Sequence, residues 1–193
     1  MRKILNGLYL GSGAVAGFFL VSIAVIVLLQ VGANILDVIV LQFTGARVGL
    51  LVPSYADFAG FFLATTSFLA LAHTLRMGGH IRVAMIITKL PPKLRQAFEL
   101  WCAGAGATLT GYFSWHTMGL VLESIEFGDV SVGMVPVQLW IPQTAMLIGL
   151  CILTIALVDQ FVTVAMGGQP SYADKELGDA DVDVDALAEE KTG

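Results

Sequence analysis

Long apolar runs separated by short polar stretches set the pattern of this chain. The first run, Ile4 to Leu36, contains no charged residue, and three similar runs follow it. A helix rises about 1.5 Å per residue, so each run is long enough to cross a hydrocarbon core of about 30 Å. The pattern therefore predicts an all-α integral membrane protein with four transmembrane helices. We place the spans at about residues 8–36, 58–75, 100–122 and 133–158.

The segment between the second and third spans is the only densely basic part of the chain. A Pro-Pro pair can open a helix there, and Leu94, Phe98 and Trp101 recur near a helical period among polar residues. We therefore predict a short interfacial cytoplasmic helix over residues 91–99 that leads directly into the third span. Its basic residues would meet anionic phospholipid headgroups, at about 1 kcal/mol each, or dock onto a partner. The residues concerned are Lys89, Lys93, Arg95 and Trp101.

The distribution of Lys and Arg predicts the orientation of the spans. Two precede the first span, one lies between the first and second, five between the second and third, none between the third and fourth, and two in the tail. Nine of the ten therefore fall on one side of the membrane. Because Lys and Arg in short loops remain in the cytoplasm, we expect both termini and the basic segment there.

Composition agrees with a bilayer protein. The chain is 56% hydrophobic and 13% charged, which is too apolar for one small soluble core. The formal charge of −5 comes from an acidic tail. We divide the chain into a membrane domain, residues 1–166, and a disordered cytoplasmic tail, residues 167–193. The near-neutral remainder does not resemble a nucleic-acid-binding surface.

Residues that could carry catalysis are scarce in the predicted spans. No Asp, Glu, Lys or Arg lies well inside any span, which argues against an enzyme and against a self-sufficient ion-coupled pump. Cys102 and Cys151 lack metal-ligand spacing and are interpreted as small apolar side chains. We expect no catalytic residue, metal site or cofactor.

Two histidines raise an alternative function. His73 and His116 lie in adjacent predicted spans and could clamp a b-type haem, as in membrane anchors of respiratory enzymes. The predicted depths separate them by about 20 Å, which one haem iron cannot bridge. We interpret both as hydrogen-bonding histidines near the interfaces. A haem-binding or structural anchor of a respiratory complex remains the alternative.

The end of the second span carries a family resemblance. The stretch Ala70-Leu-Ala-His-Thr-Leu-Arg-Met-Gly-Gly-His-Ile-Arg-Val83 resembles the signature of the small membrane subunit of tripartite ATP-independent periplasmic (TRAP) transporters, the DctQ type. A second likeness is Val137-Gln-Leu-Trp-Ile-Pro142 at the start of the last span. The likeness covers roughly residues 5 to 166 and not the tail. The matching positions are Arg76, Gly79, His80 and Arg82 in the turn, and Trp140 and Pro142 in the last span.

The resemblance implies a non-catalytic subunit of the bacterial inner membrane. It implies that the chain scaffolds a large multi-span TRAP permease subunit, which carries the substrate and sodium sites. It further implies symport of a small organic acid that a periplasmic substrate-binding protein delivers. Membrane phospholipid completes the expected partners. The candidates for a periplasmic docking surface are Arg47, Glu123, Glu126 and Asp129.

Overall fold

A computed structural model shows a helical protein and describes residues 2–45, 49, 53–76 and 92–167. Within these residues there is no strand, only an isolated antiparallel bridge between Val130 and Gln138. The all-α prediction is confirmed for this part of the chain. The helices are α1 (Arg2–Thr44), α2 (Tyr55–Arg76), α3 (Pro92–Phe127) and α4 (Trp140–Ala165).

The helices pack in a row in the order α1, α2, α4, α3. The two inner helices, α2 and α4, each have a neighbour on both sides, whereas α1 and α3 form the two edges. The buried core lies where α1, α2 and α4 meet, and none of its members comes from α3. Its members are Tyr9, Ala16, Leu69, Ala72, Leu75, Ile152, Leu153 and Ala156.

Close contacts fix the relative height of the helices. Ser54 contacts Val135 just before α4, and Phe68 contacts Gly149, so α2 and α4 run parallel. On the other side of α4, Gly104 meets Phe161 and Gly111 meets Thr154, so α3 and α4 are antiparallel. The heights of residues in α2, α3 and α4 can therefore be compared along one axis, at about 1.5 Å per residue.

Among the described residues, three of the four helices are long and apolar enough to cross a membrane by length and composition. These are α1, α2 and α4, over Gly7–Thr44, Tyr55–Leu75 and Trp140–Ala165. Helix α3 is longer than α2 but contains several Thr, Ser, Gly and His residues, which lower its hydropathy. The count of four spans therefore stays a prediction.

Helix α1 continues well beyond its predicted end. The predicted span ends at about residue 36, whereas α1 extends to Thr44. The residues after Asp37 are again apolar, and the first breaker is Gly45, whose φ is 71°. The last turns of α1 expose large apolar side chains. They include Ile35, Leu36, Val38, Ile39 and Phe43.

The other helix starts also differ from the predicted segments. Helix α3 starts at Pro92 and runs without a break, so residues 92–99 are its first turns and not a separate helix; their interfacial position stays a prediction. Helix α4 begins at Trp140 and not near residue 133. Pro136 lacks an N–H, and the Ser131 hydroxyl accepts a bond from the Val137 N–H, so the backbone turns there instead. The tail, residues 168–193, lies outside the described residues.

Candidate subunit-binding surfaces

The signature turn lies mostly outside the part of the chain that the structure describes. The described part of helix α2 runs to Arg76, directly before a gap in the described residues. The roles expected of the other positions therefore remain predictions. The predicted site residues that lie outside the described ranges are Arg47, Gly79, His80, Arg82 and Lys89.

The basic start of α3 is tied to the end of α4. Lys93 and Arg95 lie in the first turns of α3, and the Gln96 side chain donates a 3.0 Å hydrogen bond to the Val164 carbonyl. Glu99, one turn later, is buried at 8% exposure. Trp101 is 73% exposed on the outside of the helix. The two helix ends thus form one unit, from which Trp101 projects.

Helices α1 and α2 meet across a glycine. A Cβ at Gly13 would lie 2.7 Å from Cγ of His73, so the imidazole occupies the space that a side chain would need. Nearby, the Thr66 hydroxyl donates a 3.2 Å hydrogen bond to the Ala16 carbonyl. His73 therefore acts as a helix-packing residue. Three other glycines of α1 have no such neighbour within 4 Å of an added Cβ: Gly7, Gly11 and Gly17.

Helices α2 and α4 approach at backbone level. A Cβ at Gly149 would lie 2.6 Å from both the carbonyl carbon and the carbonyl oxygen of Phe68. Gly149 is buried, and the atoms opposite it are main chain, which cannot rotate away. This contact joins the two inner helices near their middle. The only local sign of it in the sequence is a glycine inside an apolar run.

A latch, formed by Ser54, Asp57, Gly133 and Val135, joins the loop between α3 and α4 to the start of α2. The Val135 N–H donates a 2.8 Å hydrogen bond to the Ser54 hydroxyl. Gly133 packs directly against the Asp57 carboxylate, and a Cβ there would collide with it. Ser54 holds a φ of 54°, which non-glycine residues rarely adopt. Sequence reasoning missed the latch.

Three predicted docking residues lie at the latch end of the bundle. Glu123 and Glu126 are exposed in the last turns of α3. Asp129 is also exposed, but it accepts a 3.3 Å hydrogen bond from the buried Ser124 hydroxyl, and its own N–H donates to the Ser124 carbonyl. Asp129 therefore shapes the loop, whereas the two glutamates are free to contact a partner.

The start of α4 is built around a tryptophan and a proline. The Trp140 Nε1–H donates a 2.7 Å hydrogen bond to the Gln138 side-chain oxygen. Pro142 is buried in the first turn, where the first four N–H groups of a helix have no internal partner. Its missing N–H therefore breaks no helical bond. The two residues predicted for the start of the last span thus lie at a helix start.

The two histidines do not converge. His73 lies five residues after Phe68, at the level of Thr154, which contacts Gly111 and Ser114 of α3. The difference in height between His73 and His116 is therefore about 3–8 Å, not the predicted 20 Å. They nevertheless occupy α2 and α3, which α4 separates. His73 faces Gly13 of α1, so the pair cannot share one metal ion.

Comparison with known proteins identifies the family. The family model of the tripartite ATP-independent periplasmic transporters, DctQ component, matches residues 38–167, which is more than half of the chain. No curated protein and no solved structure matches the chain. This family is a transporter component and not an enzyme family. The chain therefore belongs to the DctQ family, the small permease component of TRAP transporters.

Proposed function

We propose that the chain scaffolds the large permease subunit of its transporter during sodium-coupled uptake of a small organic acid, which a periplasmic substrate-binding protein delivers. Family membership supports the partnership with other TRAP subunits. The sodium coupling, the class of cargo and the binding protein are parts of the proposal.

The observation that carries the scaffold role is the tight joining of the helices. Gly13 lies against His73 and Gly149 against the Phe68 backbone, both closer than an alanine allows. Helices that interlock through glycine cannot slide without steric clash. A bundle of this kind is suited to hold a moving partner in place.

The orientation follows from charge. The basic segment and both termini lie in the cytoplasm, and the latch end lies in the periplasm. All four helices cross the inner membrane, because α3 packs along α4 from Gln96 at Val164 to Ser114 at Thr154. Glu123 and Glu126 then face the periplasm, where a binding protein arrives. Lys93 and Arg95 lie on the cytoplasmic side, where they meet phospholipid headgroups or a partner.

The test measures uptake of the organic acid and co-purification of the large subunit in cells that encode both permease subunits. Deletion of this chain, with the large subunit retained, is expected to abolish uptake of the cognate organic acid. Affinity purification of the tagged chain from mildly solubilised membranes is expected to recover the large subunit near one-to-one. Unchanged uptake in the deletion strain would contradict the scaffold role. Recovery of a haem- or flavin-containing enzyme instead would support the respiratory anchor.

A further inference from the structure

The face of α3 that points away from α4 differs from the other free faces of the bundle. We name it the α3 free face and define it by Trp101, Thr108, Tyr112, Trp115 and His116. All five are exposed, Trp101 at 73%, Tyr112 at 59% and Trp115 at 78%. They recur at helical spacing, so they lie along one side of the helix.

His116 lies close to the middle of the bundle in height. Thr154 of α4 is level with Gly111 and Ser114 of α3. Gly149 lies five residues before Thr154, and since the helices are antiparallel, the α3 residue level with it lies about five residues later. His116 is therefore within about one helical turn of Gly149. Gly149 contacts Phe68, which belongs to the middle third of α2, so this level is near the bilayer centre.

The polar side chains on the exposed helix surfaces differ in their hydrogen bonding. The exposed hydroxyls of Thr108 and Ser67 donate to carbonyls of their own helices. The His116 ring contacts the Tyr112 ring at 4.4 Å between centroids, and among the described residues no hydrogen bond reaches its nitrogens. An imidazole that faces hydrocarbon is costly, and intramembrane histidines almost always face protein or water.

The free face of α1 provides the contrast. Every exposed residue between Gly7 and Leu29 is Gly, Ala, Val, Leu or Phe, which suits contact with acyl chains. Helix α3, by comparison, is absent from the helices apolar enough to cross a membrane by composition, among the residues described. The exposed surface of α1 is therefore suited to contact with lipid, and that of α3 to contact with another protein.

We propose that the α3 free face binds a transmembrane helix of the large permease subunit, which presents a hydrogen-bonding group opposite His116. This inference rests on the proposed function, because it takes the large subunit as the partner. An open groove of about 830 Å³ lies beside the part of this face from Trp101 to Tyr112; the exposed Ala105 lines it, and Phe161 of α4 forms its other side. Small residues let a helix backbone approach closely, and a side-chain hydrogen bond then fixes its register.

Photocrosslinking in native membranes tests which edge meets the partner. The full chain, with Cys102→Ser and Cys151→Ser, receives one cysteine by Trp115→Cys, and benzophenone maleimide labels it in the presence of the large subunit. Irradiation is expected to give an adduct with the mass of both subunits. The matched control is Phe18→Cys in α1, exposed at 67% and two residues from the Ala16 contact with Thr66. This control is expected to give no such adduct.

Substitution at His116 tests the hydrogen bond itself. His116→Leu is expected to lower recovery of the large subunit by about threefold to tenfold, since hydrogen bonds between membrane helices have modest strength. His116→Gln should restore most of the recovery, and Ser67→Ala should leave it unchanged. An adduct from α1 and none from α3, or equal recovery with His116→Leu, would overturn this inference. Failure of the unmodified chain to recover any large subunit would overturn the proposed function instead.

Discussion

Gly149 of α4 lies against the main chain of Phe68 in α2, where an added Cβ would be 2.6 Å from the carbonyl group. The two inner helices therefore touch without an intervening side chain. Neither helix can relieve a clash by rotating a side chain. This contact limits how closely α2 and α4 can approach near their middle.

Gly149→Ala is expected to destabilise the bundle by about 1–3 kcal/mol, the usual cost of overpacking a tight core. The measurement is the thermal midpoint of the purified chain in detergent, followed by size-exclusion chromatography. Gly60→Ala in α2 is the control, because Gly60 has no atom within 4 Å of an added Cβ. Alanine is a better helix former than glycine, so the thermal midpoint of this control should be unchanged or slightly higher. Equal midpoints for both variants would argue against the contact.

Gly13→Ala should destabilise the α1 and α2 pair because the new methyl group meets the His73 ring. A double-mutant cycle isolates the clash: in a His73→Ala background the same change should cost much less. Gly11→Ala is the control on the same helix, with open space around its Cβ position. Additive effects of Gly13→Ala and His73→Ala would show that the two positions do not interact.

Ser54→Ala should loosen the latch, since the Val135 N–H loses its acceptor at a cost of about 1 kcal/mol. Hydrogen exchange of a peptide covering residues 130–139 should accelerate, while exchange within α4 stays the same. Ser67→Ala provides a control, as that hydroxyl bonds only its own helix. Unchanged exchange in the loop would mean that the bond does not hold it.

Simultaneous neutralisation of Arg76, His80 and Arg82 to Gln should reduce insertion and recovery of the large subunit. The cause is loss of cytoplasmic positive charge beside α2. Uptake of the remaining complexes is expected to keep its substrate preference. The control is Lys175→Gln with Lys191→Gln. It removes positive charge on the same predicted side of the membrane but far from the spans, so it should have little effect on insertion or on recovery of the large subunit. Altered selectivity with intact assembly would contradict this expectation.

Glu123→Gln with Glu126→Gln should weaken docking of the periplasmic binding protein if these glutamates meet basic groups on it. Asp129 is left in place because its bond to Ser124 shapes the loop. The apparent affinity for the binding protein, measured in uptake assays at low salt, should fall, and the difference should shrink as salt screens the charges. Glu189→Gln with Glu190→Gln in the tail serves as the control. A loss that is independent of salt would point to a structural defect.

Local signals predicted the helices, and contacts between distant residues explain what was not predicted. The Trp140 to Pro142 motif marks a helix start, which hydropathy and proline chemistry reveal. The latch joins Ser54 to Val135, which are 81 positions apart, and nothing local connects them. The differences in height between helices also arise from contacts between residues that are far apart in the sequence. The predicted depths of His73 and His116 assumed level spans, whereas packing through Gly149 offsets them.

The length of α1 bears on where the subunit resides in a bilayer. Its 43 residues extend for about 65 Å, roughly twice the hydrocarbon core, whereas α2 with 22 residues nearly matches it. Hydrophobic mismatch of this kind is relieved by tilt or by local thickening, at fractions of a kcal/mol per Å. Since α1 is fixed to α2, any tilt it adopts is imposed on the whole bundle. We therefore expect bilayer thickness to change the tilt of the whole bundle, and with it the angle at which the subunit meets a partner.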